Sequence, residues 1–357
     1  MESSPSIPPR ALRALHKDVL AWYRRSARDL PWRRTRDPYR IWVSEIMLQQ
    51  TRVEVVRPYW QRFLERFPTV EALANAPEDE VLAAWSGLGY YGRARSLHRA
   101  AKAVVERHGG TLPADAAALA QLPGFGPYTV AAVGSIAFGL PLAAVDGNIA
   151  RVLARWLCLE GDPRAGAQRA RLQRAAEAFL PPELAGDWNQ ALMELGATIC
   201  GRNPACLACP AQAHCLARRR GRQGEIPPPR SARQRPVLRL AAALYRRGDA
   251  VLLAKRPPEG LFASLWELPA VELGEGEAPA ARLAEWLGGA EVGEEVGSVE
   301  QILTHRELRV QVFAIGGAHP PRVGAPYVEA RLVEPGGLPG GLSSAARKAL
   351  RAAGVRV

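Results

Sequence analysis

Leu122-Pro123-Gly124-Phe125-Gly126-Pro127-Tyr128-Thr129 separates two runs with the three- and four-residue apolar spacing of helices, the second being Val130–Phe138. Its two glycines let the backbone reach positive φ and approach a ligand closely. A helix that starts just after such a turn aims its free amides outward, where a phosphate oxygen would be held. A plain corner between helices uses the same Gly-Pro chemistry, so the octet alone leaves both readings open. Around it, Arg40–Gln61, Glu78–Trp85, Ala94–Arg107 and Ala117–Gln121 repeat the helical period. Turns such as Phe67-Pro68-Thr69, Gly109-Gly110 and Leu112-Pro113 punctuate them. No strand-like alternation appears over residues 10–220, which predicts an all-α, multi-helix domain.

The pattern changes after residue 217. Residues 218–236 are Arg-rich, contain Pro227-Pro228-Pro229 and lack apolar periodicity, so they read as an extended connector. Strand-like runs follow at Leu238–Tyr245, Ala250–Lys255 and Leu308–Ile315, with a helical stretch at Pro279–Leu287. The expected organisation is a helical domain over 1–217, a connector over 218–236 and an α+β domain over 237–357.

Of the 357 residues 48% are hydrophobic, yet no apolar run approaches the roughly 18–20 residues that span a bilayer. Met1–Arg10 has no apolar core of a secretory signal, so a soluble cytoplasmic protein is expected. The net charge of +12 is unevenly placed. Residues 1–225 carry 30 basic and 21 acidic groups, 226–239 add four arginines and no acid, and 240–357 carry 13 basic and 14 acidic groups. A basic excess focused on one domain favours a polyanion. A solvated Arg-rich face from a biased composition remains the alternative, since only Lys17, Lys102, Lys255 and Lys348 are lysines.

Cys200, Cys206, Cys209 and Cys215 form C-x5-C-x2-C-x5-C. Four thiols this close in a cytoplasmic chain point to a metal site, and their spacing leaves zinc and an iron–sulfur cluster both open. Cys158, within the apolar run Ile149–Leu159, reads as a small buried hydrophobe in a helix. Two carboxylates stand out. On a helix Glu45 has Ile41, Trp42 and Leu48 as neighbours, and a carboxyl on such a face keeps its proton to higher pH, as a general acid requires. Asp146, in Ala144-Val145-Asp146-Gly147-Asn148-Ile149, reads either as an N-cap or as an ionised counter-charge for a cation.

Taken together these motifs resemble the MutY family of adenine DNA glycosylases, within the endonuclease III-like helix–hairpin–helix superfamily. The resemblance rests on Leu30-Pro31-Trp32-Arg33, Asp37–Thr51, Gly87–Arg95, Leu122–Thr129, Val145–Arg155 and Leu192–Cys200 with the following cysteines. It resumes at Val251–Pro269, which looks like the family's Nudix-like C-terminal domain. It implies a helix–hairpin–helix glycosylase domain followed by an α+β recognition domain. The implied activity is excision of adenine opposite 8-oxoguanine or guanine in duplex DNA.

Residue by residue, the resemblance makes Glu45 the acid that protonates adenine and Asp146 the carboxylate that stabilises the sugar cation. Asn148 would orient the reacting groups, with Tyr128 near the anomeric carbon. Arg28, Trp32, Leu48 and Gln190 would surround the extruded base. Gln50, Thr51, Leu88 and Tyr90 belong to the segments that wedge into the duplex. Leu122, Gly124, Gly126 and Thr129 form the hairpin that grips the DNA backbone. Leu303, Thr304 and His305 stand where the family reads the base opposite adenine. Cys200, Cys206, Cys209 and Cys215 match ligands of one [4Fe–4S] cluster. The family usually has six residues between the first two cysteines, where this chain has five, and Leu303-Thr304-His305 replaces Phe-Ser-His. Bifunctional members carry a hairpin lysine where this chain has Tyr128, so hydrolysis without strand scission is implied. Such a protein would act on DNA as a monomer, on the nucleoid of a bacterium, with no membrane partner.

A Nudix hydrolase would need Arg-Glu-x-x-Glu-Glu-x-Gly. Aligned on Gly288 the chain reads Ala281-Arg282-Leu283-Ala284-Glu285-Trp286-Leu287-Gly288, which lacks two of the three acids. A non-catalytic DNA-binding module would have no need of both Glu45 and Asp146. A glycosylase for thymine or uracil opposite guanine is the nearest rival, and Tyr90-Tyr91 with the C-terminal domain favours adenine.

Overall fold

The computed structural model describes residues 8–229 and 234–355. The expected connector, 218–236, therefore falls partly outside the described residues. Helices run from α1 (Pro9–Ser26) through α2 (Pro38–Leu48), α3 (Val53–Arg66), α4 (Val70–Asn75), α5 (Glu78–Ala84) and α6 (Gly92–His108). They continue with α7 (Ala116–Ala120), α8 (Pro127–Phe138), α9 (Gly147–Trp156), α10 (Gly166–Ala178), α11 (Ala185–Thr198) and the single turn α12 (Leu216–Arg219). Side-chain caps set several starts. Asp37 accepts the amides of Tyr39 and Arg40 ahead of α2, and Asp115 that of Ala118 in α7.

The expected helix over Arg40–Gln61 is in fact two. Gln50 takes φ +57° between α2 and α3, a left-handed residue that no helix accommodates. Apolar period runs straight through this break, so periodicity could not see it. The helix expected over Ile149–Leu159 stops at Trp156, and Cys158 lies beyond it at φ +51°, buried as expected but not helical.

The chain forms two compact units, one of residues 1–60, 69–71 and 99–231, the other of 61–68, 72–98 and 232–357. In the first, α1, α9, α10 and α11 share a core that includes Leu15, Val19, Leu153, Leu172, Trp188 and Leu195. A second cluster joins α2 to α8 through Ile41, Ala131, Ala132 and Ile136. Gly196 permits close packing of α11 on α9, because a Cβ there would lie 2.6 Å from Cβ of Asn148. Buried Asn189 holds the loop ahead of α9, accepting the amide of Ala144 at 3.1 Å and donating to Ser135 Oγ and Leu142 O at 2.8 Å.

In the second unit the strands are β1 (Val237–Arg247), β2 (Ala250–Lys255), β3 (Trp266–Glu267), β4 (Ala270–Glu272), β5 (Val292–Ile302), β6 (Glu307–Ile315) and β7 (Glu329–Val333). They make a mixed sheet in the order β3-β2-β1-β6-β5, with β4 also on β1 and β7 on β2. Strands β1 and β6 are parallel, and the other pairs are antiparallel. Alternate residues of β1 face opposite sides. Leu240, Ala242 and Leu244 pack under α14 (Ser344–Ala352), whereas Ala241, Ala243 and Tyr245 pack under α13 (Pro279–Trp286). Both faces are covered, as a sheet with apolar residues on each side requires.

Replacing Asn189 with Ala should lower the urea unfolding free energy by about 2–3 kcal/mol, because the buried Ala144 amide loses its acceptor and Ser135 Oγ and Leu142 O each lose a donor. A urea titration of the full chain checks this, and an unchanged midpoint would show that water satisfies the loop instead.

Candidate active site

Helix α2 is almost wholly buried, and Glu45 is only 5% exposed within it. Its Oε2 accepts a 2.7 Å hydrogen bond from the Tyr128 hydroxyl at the start of α8. Burial pushes the Glu45 carboxyl from its ordinary 4.5 up to about 7. The Tyr128 hydrogen bond and Arg33 oppose that rise, while the charge of Asp146 adds to it.

Asp146 is the N-cap of α9. One carboxylate oxygen accepts the amide of Ile149 at 2.7 Å and the other the Asn148 Nδ2 at 2.9 Å. Burial raises its pKa, and these two donors with Arg151 pull it back. The capping reading therefore holds, and both donors favour the carboxylate form that the charge-stabilising reading needs. Asn148 Oδ1 in turn accepts from Arg151 Nη2 at 2.9 Å, and Arg151 Nε donates to Cys200 O at 2.8 Å. A continuous chain of hydrogen bonds thus runs from Asp146 to the first cysteine.

Among the expected pocket residues, Trp32 is buried edge-on to Trp60 at 5.9 Å, Gln190 is buried in α11 and Leu48 is half-buried. Arg28 is held by Glu194, which accepts its Nε at 2.8 Å, its Nη2 at 2.9 Å and its amide at 3.1 Å. Arg33 Nη2 adds a fourth bond at 2.8 Å. Burial alone would raise Glu194, but these donors overcome it and hold the carboxyl at about 2. Beside Arg28 lies an open cavity of about 360 Å³ lined by Asp29, Leu30, Val53, Glu54 and Arg57. Arg33 and Glu194 were not among the expected site residues. The signal that exposed Glu45, one acid in an apolar helical run, also marks Glu194 in Ala191-Leu192-Met193-Glu194-Leu195.

Gln50 is exposed at its strained φ, and Thr51 beside it is half-buried. In the octet, Gly124 takes φ +80° and is exposed, as is Gly126, the N-cap of α8. Gly126 offers no side-chain cap to the helix amides. Leu122 and Thr129 are buried and shape the turn from within. In the second unit Leu88 is buried, and exposed Tyr90 takes φ +50°. The Tyr90 hydroxyl lies 3.0 Å from Thr304 Oγ1, with His305 exposed and Leu303 half-buried in the same β5–β6 turn.

Cys200, Cys206, Cys209 and Cys215 form no disulfide and line one pocket with Arg155, Trp156, Pro204 and Gln212. No three His, Cys, Asp or Glu side chains among the described residues stand close enough to grip a single metal ion. The thiols surround a space rather than converge on a point, which fits a multi-atom cluster better than one zinc ion. Burial, with the neighbouring thiols adding to it, pushes Cys209 up to about 11, so a cationic centre is what this donor set requires before it ionises. Arg155, 3% exposed, donates to Cys200 Sγ at 3.3 Å, to Gly201 O at 2.7 Å and to Ile226 O at 2.7 Å.

Residues 43–178 match the family model of HhH-GPD superfamily base excision DNA repair proteins, and residues 240–352 match the NUDIX domain. A thermostable thymine-DNA glycosylase superposes with a TM-score of 0.54 at 31% identity, covering 59% of this chain and 98% of that one. Endonuclease III in a non-covalent DNA complex shares the fold, at a TM-score of 0.51 and 21% identity, over 60% of this chain and 99% of that one. The fold and these matches place the chain among base excision repair DNA glycosylases. Adenine DNA glycosylases of Mus musculus and Homo sapiens are each 36% identical, covering 88% and 85% of this chain and 72% and 67% of theirs. That of Mycolicibacterium smegmatis is 43% identical over 57% of this chain and 69% of its own. The chain belongs to the adenine DNA glycosylase family.

The raised Glu45 pKa carries a stability signature. Between about 4.5 and 7 the unfolded chain releases this proton and the native one retains it, so stability falls as pH rises through that window. Glu45→Gln removes this dependence, worth up to about 3 kcal/mol. Urea midpoints of parent and variant from pH 4.5 to 7.5 should diverge accordingly, and parallel curves would place the Glu45 pKa near its ordinary value.

Proposed function

We propose that this enzyme hydrolyses the N-glycosidic bond of adenine paired with 8-oxoguanine or guanine in duplex DNA. The observation that carries the mechanism is the unequal pair, Glu45 with one donor and a pKa of about 7, Asp146 with a backbone and a side-chain donor. Glu45 delivers its proton to N7 of the extruded adenine as the bond to C1′ breaks and its electron pair moves to the base. Asp146 stays ionised and stabilises the sugar cation, held in place by Ile149 and Asn148. Tyr128 fixes the Glu45 carboxyl and stands near the anomeric carbon. Water then adds its oxygen to C1′ and passes a proton to the Glu45 carboxylate, which restores the acid and leaves an abasic site. With Tyr128 where a lyase would carry lysine, no imine forms and the strand is left intact.

Arg28, Trp32, Leu48 and Gln190 are assigned to the base pocket, and we add Arg33 and Glu194. Gln50, Thr51, Leu88 and Tyr90 are assigned to the duplex wedge. Two of these, Gln50 and Tyr90, hold a left-handed backbone that is costly away from glycine, a strain that clusters at functional sites. Amides of the Leu122–Thr129 hairpin would meet a phosphate, with Gly124 and Gly126 giving close approach. Leu303, Thr304 and His305 are assigned to reading the opposite base. The four cysteines would hold one [4Fe–4S] cluster, which supplies a rigid, charged centre organising the loop between α11 and α12. The family argues for a DNA partner, and the monomeric state and a nucleoid location are part of the same proposal.

Glu45→Gln should bind a mispaired duplex as the parent does and lose about 10²–10⁴-fold or more in single-turnover excision. The assay uses duplexes with adenine opposite 8-oxoguanine, guanine and thymine. Excision by the variant within tenfold of the parent would remove Glu45 from the chemistry, and release opposite thymine alone would overturn the adenine-mispair assignment.

Anaerobically purified protein should be brown and contain about four irons per chain. Zinc in place of iron would show that the five-residue first spacing has changed the site.

A further inference from the structure

Between α5 and α6 the chain turns through Ser86-Gly87-Leu88-Gly89-Tyr90-Tyr91. Gly87, Gly89 and Tyr90 take φ of +103°, +74° and +50°. Glycine tolerates this, but tyrosine adopts it only where surrounding contacts impose it. Some of those contacts are local. Trp85 Nε1 and Arg93 Nη2 donate to Gly89 O at 3.2 and 3.1 Å, and the Arg93 guanidinium lies 5.4 Å from the centre of the Tyr90 ring.

The remaining contacts come from far along the chain, within the same compact unit. Ser86 Oγ donates to Leu342 O at 2.9 Å and accepts from Leu342 N at 3.1 Å and Arg347 Nη2 at 2.8 Å. That uses the hydroxyl's one proton and both lone pairs. The Tyr91 hydroxyl also donates to Leu342 O. Leu342 is itself fixed, because Gly341 O accepts the amide of Trp266 at 2.9 Å and Leu342 bridges to Trp266 of β3. The strip seats tightly on α5, since a Cβ on Gly341 would lie 2.7 Å from Leu82 O. At the tip of the turn the Tyr90 hydroxyl meets Thr304 Oγ1.

We infer that the strip at Gly341-Leu342, with Arg347 and Thr304, holds the turn that presents Tyr90, making Ser86 and Thr304 positioning residues for duplex entry. This rests on the proposed role of Tyr90 as a wedge. The Nudix-like residues then do more than meet the opposite base. They set the pose from which the tyrosine enters the stack, and the Tyr90–Thr304 contact makes one coupled device of wedge and reading loop.

The test is stopped-flow fluorescence of 2-aminopurine placed beside an adenine–guanine mispair, with full-length enzyme. Guanine opposite adenine keeps any contact to an oxidised base out of the comparison. Tyr90→Ala should abolish the fast unstacking signal. Thr304→Val should slow it about threefold to tenfold, the effect of one lost hydrogen bond, and Ser86→Ala, which loses three, at least as much. Thr304→Ser should restore the parent rate. Tyr90→Phe with Thr304→Val should be no slower than either alone, since both remove the same contact. Thr304 is exposed, so this cycle decides even if Ser86→Ala unfolds the turn. Parent-like unstacking by Tyr90→Ala would overturn the wedge role and this inference with it. Loss of signal in Tyr90→Ala, with parent rates in Thr304→Val or multiplicative effects in the double variant, would overturn the positioning role alone.

Discussion

Asp146 accepts the amide of Ile149, and that cap fixes where α9 begins. Much of the first unit depends on where α9 sits. Ile149, Val152, Leu153 and Trp156 enter the shared core, and the opposite side of the helix presents Arg151 and Arg155 to the cysteine loop. Arg155 ties Cys200 and Gly201, where the loop starts, to Ile226 on the segment that follows α12. A guanidinium suits this task because its planar fork donates in several directions at once. Lysine could not span the same carbonyls. The cap, the carboxylate proposed to face the sugar and the bracing of the cysteine loop are therefore one mechanical unit.

Glu45 and Glu194 show how partners decide the fate of a buried acid. Each is almost fully buried on a helix of the first unit. Glu194 faces two guanidinium groups and four donated hydrogen bonds, and its carboxyl is held at about 2. Glu45 receives one bond from a neutral phenol and has the Asp146 charge nearby, and its carboxyl sits near 7. Burial acts in the same direction on both, so the difference lies in the donors and charges brought to each oxygen. A carboxyl that keeps its proton to near neutrality and a carboxylate that is ionised even in acid are thereby built from the same residue type.

The local chemistry of Glu45, Asp146 and the octet was legible in the sequence because each depends on near neighbours. An apolar period isolates Glu45, a capping residue opens α9, and Gly-x-Gly marks the turn before α8. The pairing of Glu194 with Arg28 and Arg33 was not, because it spans more than 160 residues. Strand β5 escaped notice because most of its residues are exposed, which leaves no alternation to read. Strands β3 and β4 have two and three residues, too few for any period. The grouping of residues 72–98 with 232–357 was equally hidden, since its bonds, such as Ser86 to Leu342 and Lys255 to Asp79, join segments that no local pattern relates.

The Nudix-like sheet has the architecture of its family, but its helix α13 carries a different set of side chains at the positions aligned on Gly288. Arg282 and Trp286 stand at two positions where a hydrolase needs acids, and the remaining Glu285 is ion-paired with Arg282 at 2.9 Å. What such a domain can still offer is shape. The β5–β6 hairpin closes through Leu303 N to Arg306 O at 2.9 Å, which leaves Thr304 and His305 exposed at a tight tip. Gly297 lets β5 lie against α14, because a Cβ there would fall 2.8 Å from the Ala352 carbonyl. At this tip the Thr304 hydroxyl is held by Tyr90 at 3.0 Å, and His305 stands exposed beside it. With nearly balanced charge over residues 240–357, the domain has little general attraction for phosphate. Local donors without bulk charge suit the reading of a base edge, where geometry and not the backbone carries the information.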